Sequence, residues 1–304
     1  MNSPEILLVK NKDIDYSKWD ECVEKSLIPL VYARSWYLDI VAPNWDALVY
    51  GNYEYVMPLT TKKKLGWSFL LQPVYAQQHG IFPKADHHLQ SMFLSEVQKK
   101  FRYVALHLNA SHSHPFPDGF EVQTRKNYIL QLLLPYNELK NHYSKHTRRQ
   151  IRKAEESKIF IVKGIQLKEY MDLKTSARKT TLSQPILQAL QRIIDLGHRE
   201  GNGVIYAAYT QDNMLCAAAF FLHSGHRVTY LNAVSTDEGK KTNAMHKIVD
   251  QFIQEHAGSL LTLDFEGSVI PGIARFYEGF GASSEEYYIL KSNRLPIPLR
   301  WFKK

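Results

Sequence analysis

The residues best equipped for chemistry lie in one run near the C-terminus, Leu263 to Ala282 (LDFEGSVIPGIARFYEGFGA). Two carboxylates, Asp264 and Glu266, leave a short apolar strand at Leu260 to Leu263, and Gly267 and Ser268 follow them. Pro271 opens a helix that ends at Gly279 and Gly281, with Tyr277 in its last turns. Side chains alternate along a strand, so Asp264 and Glu266 are expected on opposite faces if the strand continues. A carboxylate at a strand exit can take a proton from an amine or hold the amine electrostatically; equally, it can cap the helix that follows. A tyrosine hydroxyl beside a leaving group can give it a proton, an effect typically worth ~10²–10⁴-fold. The same ring can instead pack the helix end.

Four further constellations suit binding. Lys145, Arg148, Arg149, Arg152 and Lys153 fall at helical spacing and form one cationic stripe behind a candidate N-cap, Ser144. Arginine offers forked donors, so Arg148, Arg149 and Arg152 read as a phosphate grip, or else as the solvated face of a connecting helix. Asn232 and Ser235 follow the strand Arg227 to Leu231, a polar strand exit of the kind where backbone amides can hold an anion. The next stretch, Asp237 to Met245, supplies Gly239, Lys240, Lys241 and Asn243 beside a helix start, a place for a donor's anionic groups. Early in the chain, Gln72, Tyr75, Gln77 and Gln78 sit on a polar, aromatic, exposed loop after a strand, which suits substrate recognition. The histidines, including His87, His88, His107, His112 and His114, lack metal-ligand spacing, and no metal is expected.

The elements that must position these groups follow from hydrophobic period. The second half reads as a strand at 159–163, helices at 167–179 and 185–199, and strands at 203–209, 214–222 and 226–232. A helix at 241–256, a strand at 260–264, a helix at 271–279 and a strand at 285–290 complete it. The first half has a strand at 5–9, helices at 16–25 and 33–41, and strands at 46–51, 53–59 and 67–72. A helix at 86–100 and strands at 103–107 and 127–134 follow. Both halves approximate β-α-α-β-β-β-α-β-α-β. Phe116 to Leu130 aligns without gaps to Phe276 to Leu290, with Phe116/Phe276, Gly119/Gly279, Phe120/Phe280 and the triplet Tyr128 to Leu130 against Tyr288 to Leu290 identical. That is the mark of a duplicated unit. The first copy has Pro117 where the second has Tyr277, which assigns the chemistry to the second.

Composition bounds the classes. At 304 residues, 44% hydrophobic and 22% charged, the chain can form one large or two ordinary domains without a disordered tract. A net charge of +8 is a mild bias toward anionic partners. Its longest apolar stretch, Leu215 to Leu222, is too short to span a membrane and reads as a buried strand. The N-terminus lacks a basic start before an apolar run, and Cys22 with Cys216 makes no disulfide framework, so a cytoplasmic protein is expected. The basic, aromatic tail from Arg294 to Lys304 is expected to dock on the protein.

The element order resembles the GNAT N-acetyltransferase fold, and the tandem pair resembles the Fem-type aminoacyltransferases and their FemAB-like relatives. Tyr143 to Ala154 is similar to that family's basic "R-x-x-I-R-K-A" helix. Asp264 to Ser268, with Gly272 and Phe276 to Gly281, is similar to its "D-F-x-G" and "F-K-x-x-F-G" signatures. The resemblance implies an α/β (α+β) protein of two tandem GNAT-like units, each a mixed sheet flanked by helices. Residues 1–135 would be an acceptor-recognising unit, 136–158 a basic connecting helix, and 159–304 the catalytic half. It implies an acyltransferase with no tightly bound cofactor, taking acyl-CoA, another thioester, or an aminoacyl-tRNA as co-substrate. The acceptor would be a small-molecule or peptide amine such as a cell-wall precursor, with tRNA a partner for the aminoacyl donor. The setting would be the cytoplasm or the inner membrane surface, without insertion. Tyr277 resembles the tyrosine that in GNAT enzymes protonates departing coenzyme A, whereas Fem-type enzymes commonly carry lysine there. The 237–245 stretch does not match the spacing of the GNAT "Q/R-x-x-G-x-G/A" pyrophosphate loop. The competing expectation is a non-catalytic GNAT scaffold that binds a phosphorylated ligand through its basic helix.

Overall fold

The computed structural model describes residues 5–64, 66–177, 182–267 and 270–296. The chain packs as two units, one of residues up to Lys126 together with Glu286 onward, the other Asn127–Glu285. In the first, chain order runs β1 (Ile6–Val9), α1 (Tyr16–Glu24), α2 (Ser35–Val41), β2 (Asp46–Tyr50), β3 (Tyr55–Leu59), β4 (Thr61–Lys64), β5 (Trp67–Leu71), α3 (His87–Lys100) and β6 (Tyr103–Leu108). The strand β7 (Glu121–Gln131) begins there and ends in the second unit. The second unit continues with α4 (Tyr136–Asn141), α5 (Lys145–Glu156), β8 (Phe160–Lys163), α6 (Leu167–Ser176), α7 (Gln184–Arg199), β9 (Gly203–Tyr209), β10 (Leu215–Ser224) and β11 (Arg227–Ser235). It closes with α8 (Asp237–Lys241), α9 (Ala244–His256), β12 (Thr262–Asp264), α10 (Pro271–Glu278) and the start of β13 (Ser283–Asn293).

The first unit holds a three-stranded antiparallel sheet, β1-β2-β3, and a mixed run β4-β5-β6-β13 in which only β5 and β6 are parallel. Leu94, Val97, Val104, Leu106 and Leu290 meet in its core. Asp86 caps α3 by accepting from the Leu89 amide at 2.8 Å, which satisfies one of the helix's orphan donors. Between β6 and β7 there is no helix, contrary to the expected repeat of the second half: Phe116–Phe120 is loop. Pro115 and Pro117 explain it, since each removes an amide and biases the preceding residue away from helical angles. The expected strand at 127–134 runs instead over Glu121–Gln131. The expected division at 135/136 and 158/159 also differs from the packing, because each closing strand crosses from one unit to the other.

In the second unit the strand order is β7-β12-β11-β10-β9-β8, with β11 and β12 the parallel pair. The central strand β10 shows how the sequence builds the layers. Ala217, Ala219 and Phe221 face a core with Phe252 of α9, whose ring stacks on Phe221 at 4.1 Å. Phe220 and Leu222 alternate to the other face, against α7 at Gly197. A Cβ on Gly203 would come within 2.6 Å of the Phe220 ring, so glycine is what lets that ring lie flat on β9. Ser144 caps α5 by accepting from the Thr147 amide at 3.1 Å. α5 buries Thr147, Gln150, Ile151 and Ala154 and leaves its cations outside. The expected helix at 241–256 is interrupted: Asn243 takes a left-handed φ of 58°, which splits off α8 and starts α9 at Ala244. The tail beyond Pro296 lies outside the described residues, as does Ser268. Among the described residues no helix is long and apolar enough to cross a membrane.

Candidate active site

β11 creates the site by outrunning its neighbour. Its parallel pairing with β12 ends at Thr229 opposite Asp264, yet β11 continues to Ser235. Its register with β10 shifts between Phe220, opposite Asn232, and Phe221, opposite Tyr230, so Leu231 is an extra residue that bends the strand. The Thr236 amide donates to the Cys216 carbonyl at 2.9 Å, which sets the phase of the antiparallel ladder. By the two-residue alternation, Val234 and Asn232 bond to β10, whereas Ala233 and Ser235 turn their amides to the open edge. A cavity of about 620 Å³ lies along this edge.

Tyr277, Glu266, Asn232, Ser235, Gly239, Lys240 and Asn243, all expected site residues, line that cavity. Tyr277 is only 9% exposed, its ring stacked on Phe265 at 4.9 Å and edge-on to Tyr230 at 6.3 Å. Its hydroxyl has no hydrogen-bond partner among the described residues. Burial, then the charges of Glu266 and Asp264, raise its pKa well above the usual phenol value, so it keeps its proton at neutral pH. Glu266 reaches the cavity through a left-handed backbone turn, φ 59°, held by its own amide donating to Asp264 Oδ1 at 2.8 Å.

Asp264 is placed differently. It is fully buried, accepts from Arg227 Nε at 2.7 Å and Asn127 Nδ2 at 3.0 Å, and does not line the cavity. Arg227 also donates to Glu285. Burial alone would lower the Arg227 pKa, but Asp264 and Glu285 together hold it above its usual value. Asp264 is therefore occupied in a buried ionic network that fixes the end of β12, and the turn it stabilises presents Glu266.

The expected donor-binding lysines are partly compensated. Lys240 pairs with Asp237 at 2.9 Å and Lys241 with Glu238 at 3.9 Å, both exposed. The Gly239 amide already donates to Thr236 Oγ1 at 3.1 Å. A Cβ there would lie 2.2 Å from the Cys216 carbonyl oxygen, so Gly239 serves the close packing of α8 on β10. Arg148, Arg149 and Arg152 are exposed on α5, and among the described residues no carboxylate pairs with them. A second cavity, about 720 Å³, lies between the first turn of α5 and α10 and shares His246, Gly272 and Phe276 with the first.

In the first unit, the loop expected to be exposed is largely knitted into the fold. Gln78 is fully buried and accepts from the Ala110 amide at 3.2 Å; Gln72 bonds the Ala76 carbonyl at 2.8 Å. Tyr75, with a left-handed φ of 65°, and Gln77 are half-buried. Gln72 and Gln78 are consumed by backbone groups of the loop and of the neighbouring His107–Ala110 segment, because buried amides and carbonyls must find partners within the protein. Among the described residues no group of three metal-ligating side chains occurs.

Two site residues escaped the sequence reading. Lys174 of α6 lines the cavity at 3% exposure and donates to Asn232 Oδ1 and, at 3.1 Å, to the Ala233 carbonyl. Tyr170, one turn earlier, donates to Asn232 Oδ1 at 2.8 Å. Their i, i+4 spacing on one helix face was the available signal.

No protein-family model matches the chain, and no curated protein does. Solved structures do. FemX is similar over 95% of this chain and 98% of its own, with a TM-score of 0.67 and 12% identity. A conserved protein of unknown function from Bacteroides thetaiotaomicron gives 0.63 at 11% identity, over 94% of this chain and 99% of its own. A tandem GNAT protein from the clavulanic acid biosynthesis pathway gives 0.57 at 10% identity, over 96% and 99%. The chain has the FemAB-like tandem GNAT fold, with mixed sheets flanked by helices. At these identities the likeness is one of fold.

Proposed function

We propose that the protein is an N-acyltransferase that moves an acyl or aminoacyl group from an activated ester or thioester to an amine. The observation that carries this is the cavity at the open edge of β11, which Ala233, Ser235, Glu266 and Tyr277 line together. The acyl carbonyl would lie against the Ala233 and Ser235 amides. The amine nitrogen attacks the carbonyl carbon, a C–N bond forms, and the carbonyl electron pair moves to oxygen. Glu266 takes the proton released by the new ammonium. As the tetrahedral intermediate collapses, the C–S or C–O bond breaks and Tyr277 protonates the leaving sulfur or oxygen. Proton return from Glu266 to Tyr277 resets the site.

The first unit would recognise the acceptor through Tyr75 and Gln77, a peptide amine such as a cell-wall precursor being one candidate class. Acyl thioesters and charged tRNA are both cytoplasmic, which is the setting we assign. The two donors make different demands: thioester transfer needs the α8–α9 region for a pyrophosphate, and tRNA transfer needs the cationic face of α5 for phosphodiesters. A donor panel of acetyl-CoA, longer acyl-CoAs and charged tRNAs, with amine acceptors and mass detection of product, tests the reading. Product that disappears with Tyr277→Phe and Glu266→Gln supports it; no product from any donor refutes it. The exposed arginines of α5 favour one second reading, a non-catalytic scaffold for a phosphorylated ligand. It predicts binding of phosphorylated compounds that Arg148→Gln and Arg152→Gln weaken, with no turnover.

A further inference from the structure

We infer that Lys174 supplies the cation of this site, stabilising the anionic tetrahedral oxygen formed at the open edge of β11. The inference rests on the acyl-transfer reading and names a residue that reading did not require. Three observations converge on it. Lys174 is buried at 3% exposure yet is one of the residues that line the cavity. Its Nζ bonds the Ala233 carbonyl at 3.1 Å, on the same open edge that presents the Ala233 and Ser235 amides. Its partner Asn232 is itself fixed by Tyr170, a fully buried tyrosine whose hydroxyl donates to Asn232 Oδ1 at 2.8 Å and to the Asn232 carbonyl at 3.2 Å. The ammonium is thus held in place by a strand, a side-chain amide and a helix. Little reorganisation is needed when charge develops beside it.

The polarity of the cavity agrees. Attack of a neutral amine on a carbonyl produces a zwitterion, positive on nitrogen and negative on oxygen. Among the charged groups lining the cavity, Glu266 and Lys174 have opposite signs and come from different elements, the β12–α10 turn and α6. Lys240 is exposed at the rim and paired with Asp237, and His246 is kept neutral at physiological pH, its pKa lowered to about 4 by burial and by His146. Lys174 is the more deeply buried of the two lysines that line the cavity, matched to the oxyanion, with Glu266 matched to the ammonium. Preorganised donors of this kind are typically worth ~10²–10³-fold in turnover.

The test separates this inference from the acyl-transfer reading by using a probe that needs no donor. Methylphosphonate is a small tetrahedral anion, and dimethyl sulfone is a neutral tetrahedral molecule of similar size. In ¹⁵N-labelled full-length protein, methylphosphonate should move the Ala233 and Ser235 amide resonances and the Lys174 ammonium resonance. Its affinity should fall about tenfold in Lys174→Met and recover in Lys174→Arg, a tenfold change being what loss of one charge-assisted contact gives. Dimethyl sulfone affinity should not change, as it would if Lys174 only shaped the cavity. Equal methylphosphonate affinity in Lys174→Met, or no movement of the three resonances in the unsubstituted protein, overturns the inference. Should the anion bind as stated while no donor turns over, the acyl-transfer reading fails and the anion site stands. Where turnover is found, Lys174→Met should lower kcat by about 10²-fold with little change in donor KM, and an unchanged kcat overturns the role.

Discussion

Replacing Arg227 with methionine should expose how the second unit holds the turn that presents Glu266. Arg227 is 5% exposed and lies between Asp264, fully buried, and Glu285. Methionine keeps most of the volume and removes the guanidinium, leaving Asp264 with two neutral donors, Asn127 Nδ2 and the Glu266 amide. Removing one partner of a buried ion pair typically costs ~3–5 kcal/mol, because the remaining charge keeps its desolvation penalty without compensation. With a denaturant slope of ~2–3 kcal/mol/M for a unit of this size, the urea midpoint should fall by about 1–2 M. The double variant Arg227→Met with Asp264→Leu removes both charges. It should be markedly less unstable than the sum of the single variants, with a coupling of about 2 kcal/mol or more. Urea unfolding followed by circular dichroism measures all four corners of the cycle. Additive effects, or an Arg227→Met variant within about 0.5 kcal/mol of the parent, would refute the view that Asp264 is a buried structural anion.

Further outcomes follow from the same geometry. Asp264→Asn should lower stability, read as a lower melting temperature, and Glu266→Gln should lower kcat in stopped assays. Tyr277→Phe keeps the stack on Phe265 and loses only the hydroxyl, so thermal stability should hold while kcat falls ~10²–10⁴-fold. Gly239→Ala places a Cβ 2.2 Å from a backbone oxygen and should cost ~1–3 kcal/mol by lifting α8 from β10, read as a lower melting temperature. Acid should weaken the first unit early. Burial lowers the folded-state pKa of His79 to about 3 and of His112 to about 4, from an ordinary 6.5. The unfolded chain then binds protons first, so the stability these residues contribute is complete above pH 6.5. It drains away as pH falls toward 4 and 3, by up to ~1.4 kcal/mol per pH unit for each histidine. A urea midpoint that does not move between pH 7 and pH 5 would contradict this.

The fold was legible in the sequence because its long elements carry clean periods. β9 and β10, each a continuous apolar run, and α3, with its Asp86 cap, leave little ambiguity. Boundaries drifted where one residue's backbone decides, as at Asn243, whose left-handed angle splits a helix that composition alone makes continuous. The duplicated segment was visible in Phe116–Leu130 and Phe276–Leu290, but Pro115 and Pro117 erased its helix in the first copy. The shared closing strands were not legible either, since pairing partners far apart in sequence leave no local mark. At the site, Tyr277 and Glu266 could be read from position on a strand-turn-helix. Asp264 could not be separated from Glu266 until Arg227, distant in sequence, was seen to neutralise it. Lys174 was missed for a related reason: a lysine on an amphipathic helix reads as solvent-facing, and only the β11 bulge beneath it gives it a buried acceptor.

The most direct measurement is a mass-resolved transfer assay on the full-length protein, run with labelled acyl-CoA donors and with labelled aminoacyl-tRNAs against an amine panel. The account predicts an amide product from one donor class, reduced at least about 100-fold by Tyr277→Phe in a protein that melts at the parental temperature. Amide product formed equally well by Tyr277→Phe, or no product from either donor class, would contradict it.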